Sequence, residues 1–519
     1  MTEPLNEFTL PAVLDELARS RPNHLAVACG EARHDYKTLR DRVARLASGL
    51  ETAGVGQGDR ILWLGQNSHR VLEGILAASY LGAMFCPVNW RQTGEELAFV
   101  IEDLEPKVIF WQDEEIGAAI ADARRLSKWQ DVRWLQHDLA TASEYEALIQ
   151  SGSPDMRPRA VDPGKPAVII YTAAFEGRPN GALLSQTALL LQNIVVQRVQ
   201  EITPDTVFLN SGPLFHVGTL MTTMATFHAG ATNVFVRRTD PEELCQIIHT
   251  YRCNYVFLVA KICADMVAVN KDRRYDLTCL RGPSLFPEWD AMITVNHNDL
   301  RSGPYGYGQT EVNGLLTWTF YKSPGDLGSH GRPSPLCQLR IVDEDDKDVA
   351  EGSVGEVAFR GPTVMSGYWN RPAINAHRQR GGWHHTNDLC RREIDGSISF
   401  IGPKTQMIKS GVENIYPAEV EGCLKRHPAV ADAAIIGVPD PQFVQTVKAI
   451  VQLKPGIAAT PADLVDHCKA HLASYKKPKF VEFVESLPRT PVGFVDYRAL
   501  DAAFGGGNYP GGNVQGTKL

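Results

Sequence analysis

Two short segments carry polar side chains at spacings that suit nucleotide binding. In GPYGYGQTEVNG, the residues Tyr307, Gly308, Thr310 and Glu311 form a predicted tight turn. A threonine hydroxyl there can donate to a phosphate oxygen, and a glutamate carboxylate can hold Mg²⁺. In GWHHTNDLCRREIDG, Asp388 is predicted at a strand–loop border, where its carboxylate could accept both hydroxyls of a ribose. A surface turn and a helix-capping aspartate fit the same residues.

A third segment, MIKSGVENIYPAEVE, places Lys409 two residues before Gly411. A mobile cation then lies beside a point where the backbone can approach a ligand closely, because glycine has no side chain. A solvated loop lysine is the structural alternative. The run KKPK at 476–479 favours a solvated charged surface, with contact to the phosphates of a ligand as the other interpretation.

The segment AVIIYTAAFEGRPNGALLSQTALLLQ predicts a strand, a Gly-bearing loop and a helix. Such a loop can bind phosphate through backbone N–H groups and a helix N-terminus. A triphosphate loop usually adds hydroxyls and a lysine, because ATP is strongly anionic. Those positions carry Ala173, Ala174, Phe175, Glu176 and Asn180. The Glu176 carboxylate would repel phosphate, so an ordinary strand-to-helix loop is the favoured interpretation of this segment taken alone.

The predicted secondary structure that must position these segments changes along the chain. From Asp35 to beyond Val236, helical periodicity alternates with short apolar runs, which predicts parallel α/β layers. From Asp343 a hairpin with an acidic turn is predicted, and after Gly402 a compact α+β unit. The predicted fold class is α/β, with a large N-terminal domain (1–402), a small C-terminal α+β domain (403–505) and a flexible Gly-rich tail (506–519).

Length and composition limit the classes of function. At 519 residues the chain is too long for a single hydrophobic core, so two or more domains are expected. A net charge of −8 argues against nucleic acid or an anionic membrane as the main partner. The ten cysteines form no CxxC pair, which favours free buried thiols in a reducing compartment. No secretory signal or apolar run of membrane-spanning length is recognised, so we expect a cytoplasmic protein without a membrane span.

In this order and spacing, the segments resemble the acyl- and aryl-CoA synthetase branch of the adenylate-forming superfamily. The resemblance covers nearly the whole chain and includes GDRILWLGQNS, PLFHVGTL, YGQTE, GSHGRP, GEVAFRGPTVMSGYWNRP, IKSGVENIYPAEVE, IGVPDP and YKKPKFVEFVESLPRT. It implies a C-terminal domain that rotates against the N-terminal one to serve two half-reactions. The first joins a carboxylate to ATP as an acyl-adenylate, and in the second CoA displaces AMP.

The resemblance also implies roles for individual residues. Thr310 matches the α-phosphate contact, Glu311 the Mg²⁺ ligand and Asp388 the ribose ligand. Gly306 and Tyr307 match the wall of the adenine and acyl site, and His216 lines the acyl-carboxylate pocket. Lys409 matches a lysine that faces the active site during thioester formation, and Gly411 lines the pantetheine tunnel.

Several positions depart from the family pattern, and most of them serve adenylation. The family loop TSGTTGxPKG reads TAAFEGRPNG in this chain, and Pro403 replaces an arginine. Thr405 stands at the hinge, where Asp or Lys is usual, and Asn387 replaces a glycine. Phe494 occupies the place of the C-terminal lysine that reaches the site during adenylation.

These departures predict an acyl-CoA ligase that retains mainly the thioester-forming half-reaction. Its substrates would be CoA and the acyl-adenylate of a small-molecule carboxylic acid, supplied by a separate adenylating enzyme, and Mg²⁺ would be dispensable for that step. A complete two-step ATP-dependent ligase and a non-catalytic acyl- or nucleotide-binding relative are the alternatives. The acyl group, the pathway and the oligomeric state are not predicted from the sequence.

Overall fold

The computed structural model describes residues 8–138, 143–172, 178–297, 306–321, 325–404, 407–411, 413–489 and 495–507. Six of the positions singled out in the sequence lie outside the described residues: Ala173, Ala174, Phe175, Glu176, Thr405 and Phe494. Most of the predicted tail, 508–519, also lies outside them. Within the described ranges, no helix is long and apolar enough to cross a membrane.

Strands and helices alternate through the first part of the chain, as its apolar periodicity predicts. The strands are β1 (Leu25–Cys29), β2 (Ala32–Asp35), β3 (Arg60–Leu64), β4 (Met84–Pro87), β5 (Val108–Trp111), β6 (Arg133–Gln136), β7 (Pro166–Thr172), β8 (Asn180–Ser185), β9 (Val207–Asn210), β10 (Thr232–Phe235), β11 (Tyr255–Val256), β12 (Arg281–Gly282) and β13 (Thr294–Val295). The helices are α1 (Leu10–Ser20), α2 (Tyr36–Thr52), α3 (His69–Leu81), α4 (Gly94–Leu104), α5 (Gly117–Leu126), α6 (Glu144–Ser151), α7 (Gln186–Val199), α8 (Val217–His228), α9 (Pro241–Tyr251), α10 (Ala260–Val269) and α11 (Pro287–Asp290).

Two mixed sheets organise these elements. One has the strand order β6-β5-β3-β4-β7-β8 and the other β11-β9-β10-β1-β2. Neighbouring strands are parallel except for the β7–β8 and β1–β2 pairs. Helices cover the faces of such sheets, so their strands are apolar on both sides, and β4 is buried along its whole length. The predicted α/β layering is confirmed.

The second part of the chain is richer in antiparallel strands. Its strands are β14 (Gly308–Gln309), β15 (Gly314–Leu315), β16 (Thr317–Trp318), β17 (Arg332–Pro333), β18 (Gln338–Val342), β19 (Val354–Arg360), β20 (His384–Arg392), β21 (Ile398–Pro403), β22 (Ile408–Ser410), β23 (Glu413–Ile415), β24 (Val430–Asp440), β25 (Val444–Leu453) and β26 (Phe480–Val484). Its helices are α12 (Pro372–Arg378), α13 (Pro417–Leu424), α14 (Pro461–His471) and α15 (Tyr497–Phe504).

The C-terminal elements form the predicted α+β unit. A sheet of order β23-β22-β25-β24, with β26 added to β25, packs against α13 and α14. Its core consists of aliphatic residues and two buried cysteines. All ten cysteines of the chain are free, seven of them buried and three partly exposed.

The structure corrects the prediction that a helix follows the Gly-bearing loop. The chain after the loop forms β8, which pairs antiparallel with β7, and the helix α7 begins only at Gln186. The opposite edge of β8 is also bonded, since Leu183 N donates to Gly367 O at 2.9 Å. Because both edges of this backbone are satisfied by sheet-like contacts, the loop connects two strands of a hairpin and no helix N-terminus directly follows it.

A second correction concerns Asp388, which lies inside β20 instead of at its end. It pairs with Pro403 of β21, in the four-stranded antiparallel sheet β18-β19-β20-β21. The preceding residue, Asn387, has a φ of +62°, and asparagine tolerates this left-handed conformation better than most residues. A short polar residue thus stands where the resemblance expects a glycine, in a backbone conformation that both residue types can adopt.

A buried ion pair in the N-terminal domain gives a stability prediction. Glu73 is fully buried and accepts from Arg42 Nε at 2.6 Å and from Tyr145 Oη at 2.9 Å. Glu73→Ala should lower the free energy of unfolding by about 1–3 kcal/mol, because Arg42 and Tyr145 lose a buried acceptor while Arg42 keeps its pair with Glu146. Urea denaturation checks this against Glu16→Ala, whose exposed pair with Arg19 should contribute at most about 1 kcal/mol. Equal effects of the two variants would contradict the assignment.

The Glu73–Arg42 pair also makes the stability of the fold depend on pH. Burial alone would raise the pKa of Glu73, but the Arg42 charge overcomes it and lowers the pKa to about 2. A depressed folded-state pKa stabilises the fold above the unfolded pKa of about 4.3, and the contribution is lost as the pH falls towards 2. The Glu73→Ala variant should therefore lack this part of the acid sensitivity.

Candidate nucleotide and thioester site

Asp388 is surrounded by donors from the turn that the sequence singled out. Tyr307 Oη donates to Asp388 Oδ2 at 2.7 Å, and Gln309 Nε2 donates to the same oxygen at 3.1 Å. The Tyr307 ring is held by stacking on Phe359 and Phe400, with centroid distances of 5.9 and 5.3 Å. The structure therefore brings Tyr307 and Asp388 together, as the resemblance implies.

The Asp388 carboxyl titrates near neutrality. Burial is the main cause, the charge of Glu311 adds to it, and together they raise the pKa to about 7 although Tyr307 and Gln309 donate to the carboxylate. An ionised carboxylate can accept both hydroxyls of a ribose, whereas the protonated form loses acceptor capacity.

If Asp388 binds a ribose, the affinity for adenosine should rise as the pH increases from about 6 to about 8, around the pKa of about 7. Adenosine is the probe because it has no phosphate that titrates in this range. Calorimetric titration measures the affinity, and Asp388→Asn should bind weakly without the pH dependence. A flat profile in the unsubstituted protein would contradict the assignment.

Glu311 lies in a 3₁₀ turn, Thr310–Val312, and is 3 % exposed. Tyr368 Oη donates to Glu311 Oε1 at 2.7 Å, and burial raises the pKa of Glu311 despite this hydrogen bond. A single carboxylate with a hard oxygen suits Mg²⁺, which takes one or two protein carboxylates and completes its shell with phosphate and water. Glu311 thus fits the metal role, and a cation there would also favour its ionised form. Thr310, the residue before Glu311, begins the same turn.

The turn requires glycine at position 306 for its backbone conformation and for lack of space. Its φ is +147°, and a Cβ there would lie 1.6 Å from Thr317 O. Gly411, at φ +61°, has room for a Cβ but adopts a conformation that L side chains rarely take. Backbone geometry therefore explains both glycines without a ligand, so it leaves their binding roles as predictions.

Asn180, at the place of the family lysine, is occupied by other contacts. It is 5 % exposed at the start of β8, and its Oδ1 accepts from Arg371 Nε at 2.9 Å. Arg371 in turn pairs with Asp103 at 2.7 Å. The amide thus takes part in a structural network at this edge of the loop and brings no positive charge of its own.

Two of the residues predicted to serve thioester formation, His216 and Lys409, lie near Glu413 where the two domains touch. The Glu413 carboxylate of β23 lies 3.4 Å from Arg91 Nη1 and 3.4 Å from His216 Nε2, both of the N-terminal domain. The His216 contact is long for a hydrogen bond, and it places this side chain at the start of α8 against the C-terminal domain. Lys409 of β22 donates from Nζ to Asn414 Oδ1 at 2.8 Å. Burial lowers the pKa of Lys409, while the nearby Glu413 charge opposes the shift.

Sequence reasoning missed two aromatic residues of the site. Tyr368 positions Glu311, and Tyr416 of the C-terminal domain is buried with its pKa raised by burial and then by the charges of Asp388 and Glu311. Tyr416 therefore lies near the carboxylates of the N-terminal domain. It directly follows NI in MIKSGVENIYPAEVE, so its place in that segment was the available signal.

A group of possible metal ligands elsewhere is structural. Ligand atoms of His34, His69 and Glu73 lie within 4.8 Å of one another. Both Glu73 oxygens already accept from Arg42, whose positive charge disfavours a second cation. This arrangement fits a buried ion pair with neighbouring imidazoles.

Comparisons with known proteins show the family of this chain. The profile of the AMP-binding enzyme family matches residues 14–369, and that of the AMP-binding enzyme C-terminal domain matches residues 419–493. An indoleacetate–CoA ligase of Aromatoleum aromaticum is 35 % identical over 94 % of this chain and 97 % of its own. A feruloyl-CoA synthase of an Amycolatopsis species is 34 % identical over 92 % of this chain and 95 % of its own.

The fold is also found among solved structures. An o-succinylbenzoate CoA synthetase double mutant of Bacillus subtilis, bound with a product analogue, has a TM-score of 0.78 at 23 % identity, covering 95 % of this chain and 99 % of its own. The likeness extends over both domains, so the two-domain architecture is shared.

Proposed function

Since this chain belongs to the AMP-binding enzyme family, among acyl- and aryl-CoA ligases, we propose that it forms acyl-CoA from an acyl-adenylate and that its own adenylation step is weak or lost. The observation that carries the proposal is the asymmetry of the site. Glu413 of the C-terminal domain lies 3.4 Å from His216 of the N-terminal domain and close enough to Lys409 for its charge to act on that lysine, while the loop position that should hold a lysine carries Asn180, bonded to Arg371.

The thioester-forming step makes a modest electrostatic demand. The CoA sulfur attacks the acyl carbonyl carbon, the bond from that carbon to the AMP oxygen breaks, and the thiol proton passes to solvent or a nearby base. AMP leaves with the bonding electrons as a phosphate monoester. Asp388 and Tyr307 would hold the ribose and base, Thr310 would contact the phosphate, and Lys409 would stabilise its developing charge.

Adenylation makes a greater demand, because two anions must meet and pyrophosphate must leave. Removing one preorganised donor of this kind costs on the order of 10²–10³ in rate. The sequence alters several together, at Ala173, Ala174, Phe175, Asn180 and Phe494. Mg²⁺ at Glu311 would supply charge to this step, whereas AMP displacement can proceed without it.

The acyl group is proposed to be aromatic. The relatives at 34–35 % identity are named for indoleacetate and ferulate, both aryl acids. Gly218, beside His216 in the wall predicted from the sequence, has no atom within 4 Å of the place a Cβ would take, which would suit a ring there. A separate adenylating enzyme would supply the activated acid.

A complete two-step ligase is the second candidate, and the names of the same relatives favour it, since each is a ligase or synthase. Exchange of labelled pyrophosphate into ATP, measured in the presence of a panel of aryl acids, distinguishes the complete ligase from an enzyme that has lost adenylation. We expect exchange at the level of the acid-free control. Acid-dependent exchange at the rates usual for ligases would support the complete enzyme and overturn the proposed loss.

A further inference from the structure

A lysine outside the nucleotide site is buried between the two domains. Lys476 ends a 3₁₀ turn, Ser474–Lys476, and is 6 % exposed, in contrast to the solvated run expected of KKPK. Its Nζ donates to Glu96 Oε1 at 2.7 Å and to Glu419 Oε1 at 2.6 Å. Burial opposes its charge, but the two carboxylates overcome this and raise the pKa of Lys476.

The two carboxylates belong to different domains. Glu419 lies on α13 beside Lys476 in the C-terminal domain, so their contact does not depend on how the domains are oriented. Glu96 lies in the first turn of α4 in the N-terminal domain, so its contact with Lys476 exists only in this orientation. Glu96 is therefore the partner that can report on domain orientation.

Glu96 is held in place by its own helix. Its Oε2 accepts from Thr93 N at 2.8 Å and from Thr93 Oγ1 at 3.1 Å, which completes a capping box at the start of α4. The remaining oxygen, Oε1, faces Lys476. A carboxylate fixed in this way loses little side-chain freedom when the lysine docks, which favours a defined geometry.

Further contacts join the same two stretches of chain. His471 Nδ1 lies 2.8 Å from Glu95 Oε1, and Thr93 Oγ1 lies 3.3 Å from His471 O. Asn89 Nδ2 lies 3.4 Å from Tyr475 Oη. Residues 89–96 of one domain thus form a docking segment for residues 471–476 of the other.

We propose that Lys476 is a positioning residue that fixes the thioester-forming orientation of the domains through Glu96. The inference rests on the proposed function, because it assigns the domain orientation of this structure to that step. Lys476 touches no reacting atom. It acts by holding β22 and β23, and with them Lys409 and Glu413, against the N-terminal domain.

Glu96→Gln is the sharpest variant, because glutamine also completes a capping box, so the change is confined to the interdomain charge and its hydrogen bond to Lys476. With synthetic indoleacetyl-adenylate and CoA as substrates, we expect the thioester-forming rate to fall about tenfold or more, since a buried charge loses a partner. Binding of the adenylate should be unchanged. Glu102→Gln, on the exposed side of the same helix, should match the unsubstituted protein.

Further variants separate positioning from stability. Lys476→Met should be more impaired than Glu96→Gln, because it leaves Glu96 and Glu419 facing each other, and Lys476→Arg should restore part of the rate. Glu419→Gln should reduce the rate less than Glu96→Gln does. Equal effects of Glu96→Gln and Glu419→Gln, or an unchanged rate in Glu96→Gln, would overturn the proposal.

Hydrogen exchange of the amides at 89–96 and 471–476 reads the contact without relying on activity. Faster exchange in Glu96→Gln, at an unchanged unfolding temperature, supports the interdomain contact even if the unsubstituted protein forms no thioester, in which case the proposed function fails alone. Unchanged exchange would contradict the role of Lys476.

Discussion

Restoring the missing cations is expected to raise ATP-dependent formation of acyl-adenylate by on the order of 10³ or more. The variant combines Phe494→Lys with Asn180→Lys and with the family loop residues at 173–176. The cations would offset the charge of the triphosphate as it meets the carboxylate. Pyrophosphate release with an aryl acid that the enzyme accepts as its adenylate measures the gain.

The gain should depend on charge and not on the space that Phe494 occupies. Phe494→Met, combined with the same loop changes, is the matched control because methionine is long and flexible but uncharged. It should recover much less activity than the lysine variant. If adenylation remains absent after both the loop and Phe494 are repaired, the altered residues at these positions are not the cause of its loss.

Lys409→Ala is expected to slow thioester formation from a supplied acyl-adenylate by on the order of 10²–10³, as for removal of one preorganised donor. Burial lowers the pKa of Lys409, which marks its ammonium as only partly solvated and so as an effective local charge. Rapid-mix assays at saturating CoA measure the step, with adenylate affinity determined separately.

The control is a lysine of the same domain that lies away from the site. Lys454 donates to Pro428 O, and Lys454→Ala should keep the thioester-forming rate of the unsubstituted protein. A non-catalytic binding protein would be indifferent to both substitutions. Equal rates in the Lys409→Ala and Lys454→Ala variants would therefore remove Lys409 from the reaction.

The sequence predicted the layered α/β domain and the α+β unit, because each depends on local periodicity. The motifs named Tyr307 and Asp388 separately, and the hydrogen bond between these residues, 81 positions apart, became visible only in the fold. The prediction that a helix directly follows the Gly-bearing loop was wrong, because β8 precedes α7. The composition of residues 180–185 is compatible with a helix or a strand, and their pairing with β7 makes them a strand. Tertiary hydrogen bonding of this kind leaves no local signature.

Contacts between distant segments were beyond the sequence for the same reason. Lys476 and Glu96 are 380 residues apart, and a lysine in a charged run is usually solvated. Tyr368 and Tyr416 appear in motifs as aromatic residues, but only the fold places one against Glu311 and the other near Asp388. The motifs thus contain the residues that position the candidate site, but the partners of these residues could not be predicted from the sequence.

A paired assay over fatty, aryl and polycyclic acids tests the central claim most directly. One arm contains free acid, ATP, Mg²⁺ and CoA, and the other contains the synthetic acyl-adenylate and CoA without ATP, with acyl-CoA detected by mass spectrometry. We expect acyl-CoA from the second arm alone. Comparable product from both arms would contradict the proposed loss of adenylation and establish a complete ligase.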